Sequence, residues 1–426
     1  MTDWPGGVVI LDDDPTGTQS AAGVEVLLNL DDDYLRDWFE SHGPQPVYVL
    51  TNNRALTEDD ALRRTSGISA IARAAWPQAQ IVCRGDSTLR GHLLPEFQGV
   101  TEHDNGGGHV LLIVPAMPSA GRVTLNGTHF LATDQSLVPV AGTEYARDAE
   151  FGYTSSDVLA WAEERSAAAF RAADGAIVAL DTLRSEGPAA VAQAVKLLAL
   201  HARRAACVCD AETERDLSLV ADGVRLAWEA GIAVTVRCAP PLAAMLADRK
   251  ASGFCRPPSG VGRLLLVVGS YVQASTSQLA VIQRRHPGRV VEARIEDLAA
   301  GSERESARLA GMLAALWENG PLAVLATPRG RPTAGTSGLA VARGMARAVA
   351  GLPVPPEAVV TRGGVTSAVT ARYGLAASSA WSCGPVRPGI ALWNVSSGPA
   401  TIPLLIAAGN IGGPNDLADL LEEMVA

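Results

Sequence analysis

The stretch Arg84-Gly85-Asp86-Ser87-Thr88-Leu89-Arg90-Gly91 brings together a carboxylate, two hydroxyls and a guanidinium. Arg90 offers a planar fork of N–H donors that matches a carboxylate or a phosphate. Asp86 offers a base or a hydroxyl acceptor, and Ser87 and Thr88 can hold hydroxyls. The combination suits a small polyhydroxy acid. The same residue types also cap helices and pair locally, so the reading needs partners elsewhere in the chain. Two other loops supply them. Asp12-Asp13-Asp14-Pro15-Thr16-Gly17-Thr18-Gln19 crowds carboxylates that repel one another unless a cation or a donor neutralises them. They could bind Mg2+ through oxygen, or hold substrate hydroxyls. Thr51-Asn52-Asn53-Arg54 brings a second arginine that could meet a carboxylate.

A different chemistry is written further along. Gly269-Ser270, Gly363-Gly364-Val365-Thr366-Ser367 and Gly409-Asn410-Ile411-Gly412-Gly413 each follow a strand-like run. Glycines let backbone N–H groups approach an anion closely, and helix N-termini favour phosphate. Three such loops suggest a nucleotide site, with Ser275-Thr276 placed to cap the helix after the first. No Walker A signature is present, and no Gly-x-Gly-x-x-Gly opens the first strand–helix unit. The seven histidines lack metal-ligand spacing. His92 and His129 lie where they could touch a substrate, but packing is the commoner role.

The elements that must position these loops follow from the apolar pattern. Val8 to Leu11, Val47 to Leu50 and Ala79 to Cys83 read as buried strands, and the three polar loops follow them directly. In an open parallel sheet, ligands bind at the carboxyl ends of the strands. Helices are expected from Tyr34 to Glu40, after a capped start at Thr57, and from Ser155-Ser156-Asp157 through Arg171. Gly121 to Tyr145 is turn-rich, with Asn126-Gly127 as a hairpin signal. Strands from Ala176 to Leu180, Ala206 to Cys209 and Ile232 to Val236 alternate with helices from Ala190 to Ala205 and Leu217 to Ala230. Pro257-Pro258-Ser259-Gly260 marks a linker within Ser252 to Gly262. A second block then alternates strands beginning at Leu264, Val290 (to Ile295), Leu322, Ala358, Ile390 and Leu404 with helices, the last from Leu417 to Val425. The expected fold class is α/β: two domains, 1–255 and 256–426, each a mainly parallel β-sheet flanked by helices.

The composition fits that class. The chain has 426 residues, 47% hydrophobic and 19% charged, enough for two cores. A net charge of −10 without a basic stripe argues against nucleic acid and anionic membrane as partners. The N-terminus lacks the pattern of a signal peptide, and no apolar run is long enough to span a bilayer. The six cysteines are scattered, and Cys207-Val208-Cys209 has no partner pair for zinc. These features predict a reduced, cytoplasmic enzyme.

The motifs in this order resemble those of the four-carbon acid sugar kinases. The resemblance runs from Asp13-Asp14-Pro15-Thr16-Gly17 through Thr51-Asn52-Asn53-Arg54, Asp86-Ser87-Thr88-Leu89-Arg90-Gly91 and Ala146-Arg147-Asp148 before Phe151-Gly152-Tyr153. It continues through Gly269-Ser270 with Thr276 and Gln278, then Gly363 to Ser367, then Gly409 to Pro414. It implies an N-terminal domain for a sugar acid, a C-terminal domain for ATP, and phosphorylation of a four-carbon acid at its terminal hydroxyl. By the same resemblance Asp14, Arg54, Ser87, Thr88 and Arg90 would contact the acid, with Asp13 beside them. Ser270, Gly363, Gly364, Val365, Thr366, Gly409 and Asn410 would contact ATP. This chain departs from many members of the family at Val365, where they carry an acid, at Ile411, where they carry an aromatic residue, and at Ala407-Ala408, where a lysine often stands. It looks like a branch with an aliphatic residue at the first position, although Arg362 stands where that branch tends to have lysine.

The expected activity is therefore an ATP- and Mg2+-dependent sugar-acid kinase, with the metal ligands unassigned. Arg54 and Arg90 would clamp the carboxylate, Ser87 and Thr88 would bind hydroxyls, and Asp86 or Asp14 would take the proton of the attacking hydroxyl. Two domains that close on their ligands call for a flexible linker near Arg256 to Gly262. A homodimer is compatible with the composition. Two rivals remain open: a sugar-acid or nucleotide binding protein without turnover, and a lyase or isomerase of the same acids.

Overall fold

The computed structural model describes residues 4–102, 108–133, 136–201, 204–329, 337–397, 400–409 and 412–426. The chain forms two compact units, one of Met1–Asp13 with Leu30–Lys250 and the other of Asp14–Asn29 with Ala251–Ala426. The short segment Asp14–Asn29 thus belongs with the C-terminal half, where its strand Val24–Leu27 pairs antiparallel with Ser379–Arg387.

In the first unit the strands lie in the order Pro46–Leu50, Val8–Asp12, Gln80–Arg84, Val234–Cys238, His109–Val114, Arg204–Cys209 and Ala176–Val178, every neighbouring pair parallel. Their continuous apolar runs follow from burial on both faces: Val8–Asp12, Pro46–Leu50 and Val234–Cys238 are buried along their whole length. Helix Glu58–Ala75 starts where Thr57 accepts a hydrogen bond from the Asp60 backbone N–H, with Glu58, Asp59 and Asp60 in its first turn, where acids suit the helix dipole. Leu111, Ile113 and Val208 of the sheet pack with Phe97, Trp161, Phe170 and Leu89.

The turn-rich stretch forms a small antiparallel sheet of Arg122–Leu125, Thr128–Ala132 and Leu137–Pro139. Asn126 (φ 49°) and Gly127 (φ 72°) both take positive φ, the requirement of the tight hairpin turn expected there. The helix opened by Asp157 ends at Arg165 instead of Arg171, because Ala167 and Ala168 turn to φ 48° and 63°. The strand from Ala176 stops at Val178, and Leu180 starts a helix whose first N–H donates to Asp210 at 3.1 Å.

In the second unit Val290–Glu292, Leu322–Ala326, Leu264–Val268, Ala358–Arg362 and Ala400–Ala407 are parallel neighbours in that order. An antiparallel extension follows, made of Ile390–Ser397, Ser379–Arg387 and Val24–Leu27. Strand Ser379–Arg387 has no counterpart in the sequence reading, because register shifts between Ser382 and Gly384 and between Pro385 and Arg387 break its alternation. The strand from Val290 stops at Glu292, and Ile295 already begins a short helix. Ser275 and Thr276 lie inside helix Gln273–Arg285 rather than at its cap. Leu266, Val324, Val360 and Leu405 form a core with Ile282, Leu417, Leu421 and Met424.

Candidate functional site

In the first unit, strand order brings three loops together. Pro46–Leu50, Val8–Asp12 and Gln80–Arg84 are adjacent, with Asp12 in register with both Leu50 and Arg84. Asp13, the turn carrying Arg54 and the loop from Gly85 to Gly91 therefore leave the sheet side by side. The buried Arg84 guanidinium anchors the carboxylates, paired with Asp12 and 2.9 Å from Asp13 Oδ1. Arg54 Nε lies 3.0 Å from Asp13 Oδ2, and Arg54 Nη1 is 3.6 Å from Asp86 Oδ1. Arg90 Nε donates to Asp86 Oδ2 at 2.8 Å. The Arg90 guanidinium also faces Asp148 at 3.6 Å and lies 5.1 Å over the Tyr145 ring. Thr88 Oγ1 donates to the same Asp86 oxygen.

Burial tends to raise the Asp86 pKa, but the charges of Arg90 and Arg54 and the hydrogen bonds from Arg90 and Thr88 outweigh it, so the carboxyl stays well below its usual range. Asp86 is thus an ionised acceptor that orients two arginines, whose side chains remain 20% and 23% exposed. The backbone supports this arrangement. Asn52 before Arg54 has φ 51°, and the buried Leu89 before Arg90 has φ 66°, a left-handed conformation that costs a bulky residue energy. The Leu89 side chain lies in the core, which leaves Arg90 to turn back onto Asp86. Tyr153 Oη donates to the Thr88 carbonyl at 2.7 Å. His129 Nε2 is 2.9 Å from the Ser87 carbonyl and its Nδ1 is 3.0 Å from Thr124 Oγ1. Burial draws the His129 pKa down to about 4, so the neutral ring donates through Nε2 and accepts from Thr124 through Nδ1. His92 instead reaches the Leu56 carbonyl at 2.9 Å.

Beneath the loop lies a buried ion pair that the motif reading missed. Arg237, on strand Val234–Cys238, pairs with Glu96 and donates to the carbonyls of Arg90 (3.2 Å) and His92 (3.3 Å). A Cβ at Gly85 or Gly91 would stand 2.9 Å from the Arg237 guanidinium, so glycine lets the loop close around it. Glu96 also accepts from Asn53 Nδ2 at 3.1 Å. The signal that could have found Arg237 is a charge in an otherwise apolar run, Ile232 to Cys238.

Asp14 belongs to the second unit. Its Oδ1 accepts from the Thr16 backbone N–H (2.9 Å) and Thr16 Oγ1 (2.6 Å). A Cβ on Gly364 would meet Asp14 Oδ2 at 2.4 Å, so the carboxylate rests directly on the start of helix Gly364–Val369. There the helix dipole favours a negative charge.

The glycine loops of that unit leave adjacent parallel strands and gather around Ser270. Gly363 and Gly409 both lie against it, with Cβ positions 3.0 Å from its Cβ and Oγ. Thr366 packs on Gly269, and Ser367 Oγ donates to the Gly363 carbonyl at 2.8 Å. Val365 packs its side chain against Ala342, Ala346 and Val369. The buried Arg362 ties the loops together, donating to Ser275 Oγ and the Gly409 carbonyl, both at 3.2 Å. Burial pulls its pKa down to about 10, against the opposing charge of Asp416. Asn410, the remaining expected nucleotide contact, lies outside the described residues. Among the described residues no three His, Cys, Asp or Glu side chains form a metal cage, and no helix is long and apolar enough to cross a membrane.

Comparisons with known proteins bear on both units. The family model of a sugar-binding N-terminal domain matches residues 8–246, and that of a nucleotide-binding C-terminal domain matches residues 265–417. A solved Haemophilus influenzae protein from a family named for a domain of unknown function is 17% identical, with 98% of this chain and 100% of that one covered and a TM-score of 0.67. One from Salmonella typhimurium, provisionally called a tRNA synthase, is 19% identical, with 96% and 97% covered and a TM-score of 0.70. No curated protein matches the chain.

Proposed function

Because the chain belongs to the four-carbon acid sugar kinase family, we propose that it is an ATP-dependent kinase for a small, four-carbon sugar acid. The reaction joins the terminal hydroxyl oxygen of the acid to the γ-phosphorus. It breaks the bond between that phosphorus and the β–γ bridging oxygen, and releases ADP and a proton. The observation that carries the reading is the pair of partly exposed arginines, Arg54 and Arg90, held in place by Asp13 and Asp86 beside Ser87 and Thr88. Guanidinium forks next to hydroxyls and ionised acceptors are what a hydroxylated carboxylate needs. Asp86, kept ionised, accepts from substrate hydroxyls and orients the arginines.

Ser270, Gly363, Gly364, Val365, Thr366, Gly409 and Asn410 are the candidate nucleotide contacts. Bound Mg2+ would neutralise phosphate charge, and it typically takes one or two carboxylates with phosphate and water oxygens rather than a protein cage. Asp14, on the same unit as the glycine loops, fits that requirement. A reduced, cytoplasmic setting suits six cysteines that are all free.

The test is incubation with Mg·ATP and a panel of four-carbon sugar acids, with ADP and phosphorylated acid measured together. Formation of both with one acid is the expected result. Binding without ADP would point to a binding protein, and product formed without ATP would point to a lyase or isomerase.

A further inference from the structure

A second feature of the nucleotide unit concerns charge. From Asn319 through Pro356 the chain carries no Asp or Glu, yet it holds Arg329, Arg331, Arg343 and Arg347, in a protein of net charge −10. Arg329 follows strand Leu322–Ala326, the neighbour of Leu264–Val268 whose carboxyl end leads into Gly269-Ser270. Its guanidinium is half-buried and held by neutral groups. Nη1 donates to the Ser270 carbonyl at 2.8 Å, Nε to the Thr327 carbonyl at 3.1 Å and Nη2 to Thr327 Oγ1 at 2.7 Å. The ring of Tyr271 lies 5.8 Å from it.

Ser270 is the residue against which Gly363 and Gly409 also rest. A full positive charge is therefore fixed next to the glycine cradle, hydrogen-bonded to carbonyls and a hydroxyl beside an aromatic ring; the charge of Glu292 acts on it, but no ion pair to a carboxylate is found for it among the described residues. Taking such a charge from water costs energy, and burial lowers its pKa accordingly. An anionic ligand in the cradle would offset that cost, and a guanidinium is suited to phosphate because it presents fixed donors.

We propose that Arg329 is a phosphate-binding residue of the nucleotide site, contacting the polyphosphate rather than the nucleoside. The proposal rests on the kinase reading above and assigns the residue that selects for phosphate charge.

The experiment is titration of the full-length protein, wild type, R329Q and R329K, with ATP, ADP and adenosine in the presence of Mg2+. Loss of a charge-assisted contact weakens ATP binding by about tenfold to a hundredfold in R329Q. Adenosine affinity stays within about twofold of wild type, and R329K recovers part of the ATP affinity. Equal ATP affinity in wild type and R329Q would overturn the assignment. So would a parallel loss of adenosine affinity, which would mark a collapsed loop, or an R329K no better than R329Q. A wild type that binds ATP while R329Q also does would leave the kinase reading standing. A wild type that binds no nucleotide would remove both.

Discussion

Replacing Arg237 by methionine tests whether the loop from Gly85 to Gly91 is built on a buried charge. The Arg237 and Glu96 side chains are each 7% exposed. Methionine keeps much of the volume but strands the Glu96 carboxylate and leaves the carbonyls of Arg90 and His92 without their donor. Removing one partner of a buried pair costs about 3–5 kcal/mol. For a folding unit of this size, at roughly 2–4 °C per kcal/mol, the melting temperature should fall by about 10 °C. Scanning calorimetry of the full chain measures it. The double variant R237M/E96Q removes the stranded charge and keeps an acceptor for Asn53, so it should regain about 2 kcal/mol or more over the single variant. A single variant within about 1 kcal/mol of wild type, or a double variant no more stable than R237M, would refute the reasoning.

Three further predictions follow from the same geometry. Arg90→Ala should weaken acid-sugar binding by about tenfold to a hundredfold, the worth of a charged hydrogen bond, and leave ATP binding in place; equal loss of both, by calorimetric titration, would contradict the division of labour. Gly364→Ala, a change that normally favours a helix, should instead destabilise by about 1–3 kcal/mol and impair Mg·ATP binding, because its Cβ would stand 2.4 Å from Asp14 Oδ2. His129 gives a pH signature, since its folded pKa of about 4 lies below the value near 6.5 of an unfolded histidine. Between those values the unfolded chain holds the extra proton, so stability is full above about pH 6.5, declines as pH falls, and levels off below about 4 after a loss of roughly 3 kcal/mol. Denaturant titration across that window should show a shallower slope for H129Q.

Most of the strands were legible because parallel strands buried on both faces read as unbroken apolar runs, as at Val8–Asp12 and Leu264–Val268. Thr57 and the Asn126-Gly127 turn were legible because capping and turn geometry are local. Strand Ser379–Arg387 was not, because its bulges erase the alternation. The helix start at Leu180 was hidden because the group that holds its first N–H, Asp210, is thirty residues away in sequence.

Residue type and the ends of apolar runs are local properties, so the loops proposed to bind the acid and the nucleotide could be named from the sequence alone. Asp86, Thr88, Arg90 and Arg54 are at one place in the structure because their strands are neighbours, and neighbourhood is a matter of strand order rather than of any single loop. Only the tertiary structure divided the acidic turn, giving Asp13 to the arginine cluster and Asp14 to the glycine loop at Gly364. Only it placed Arg237 against Glu96, across 141 residues. A buried charge must find its partner wherever packing brings one, and no local pattern encodes that choice.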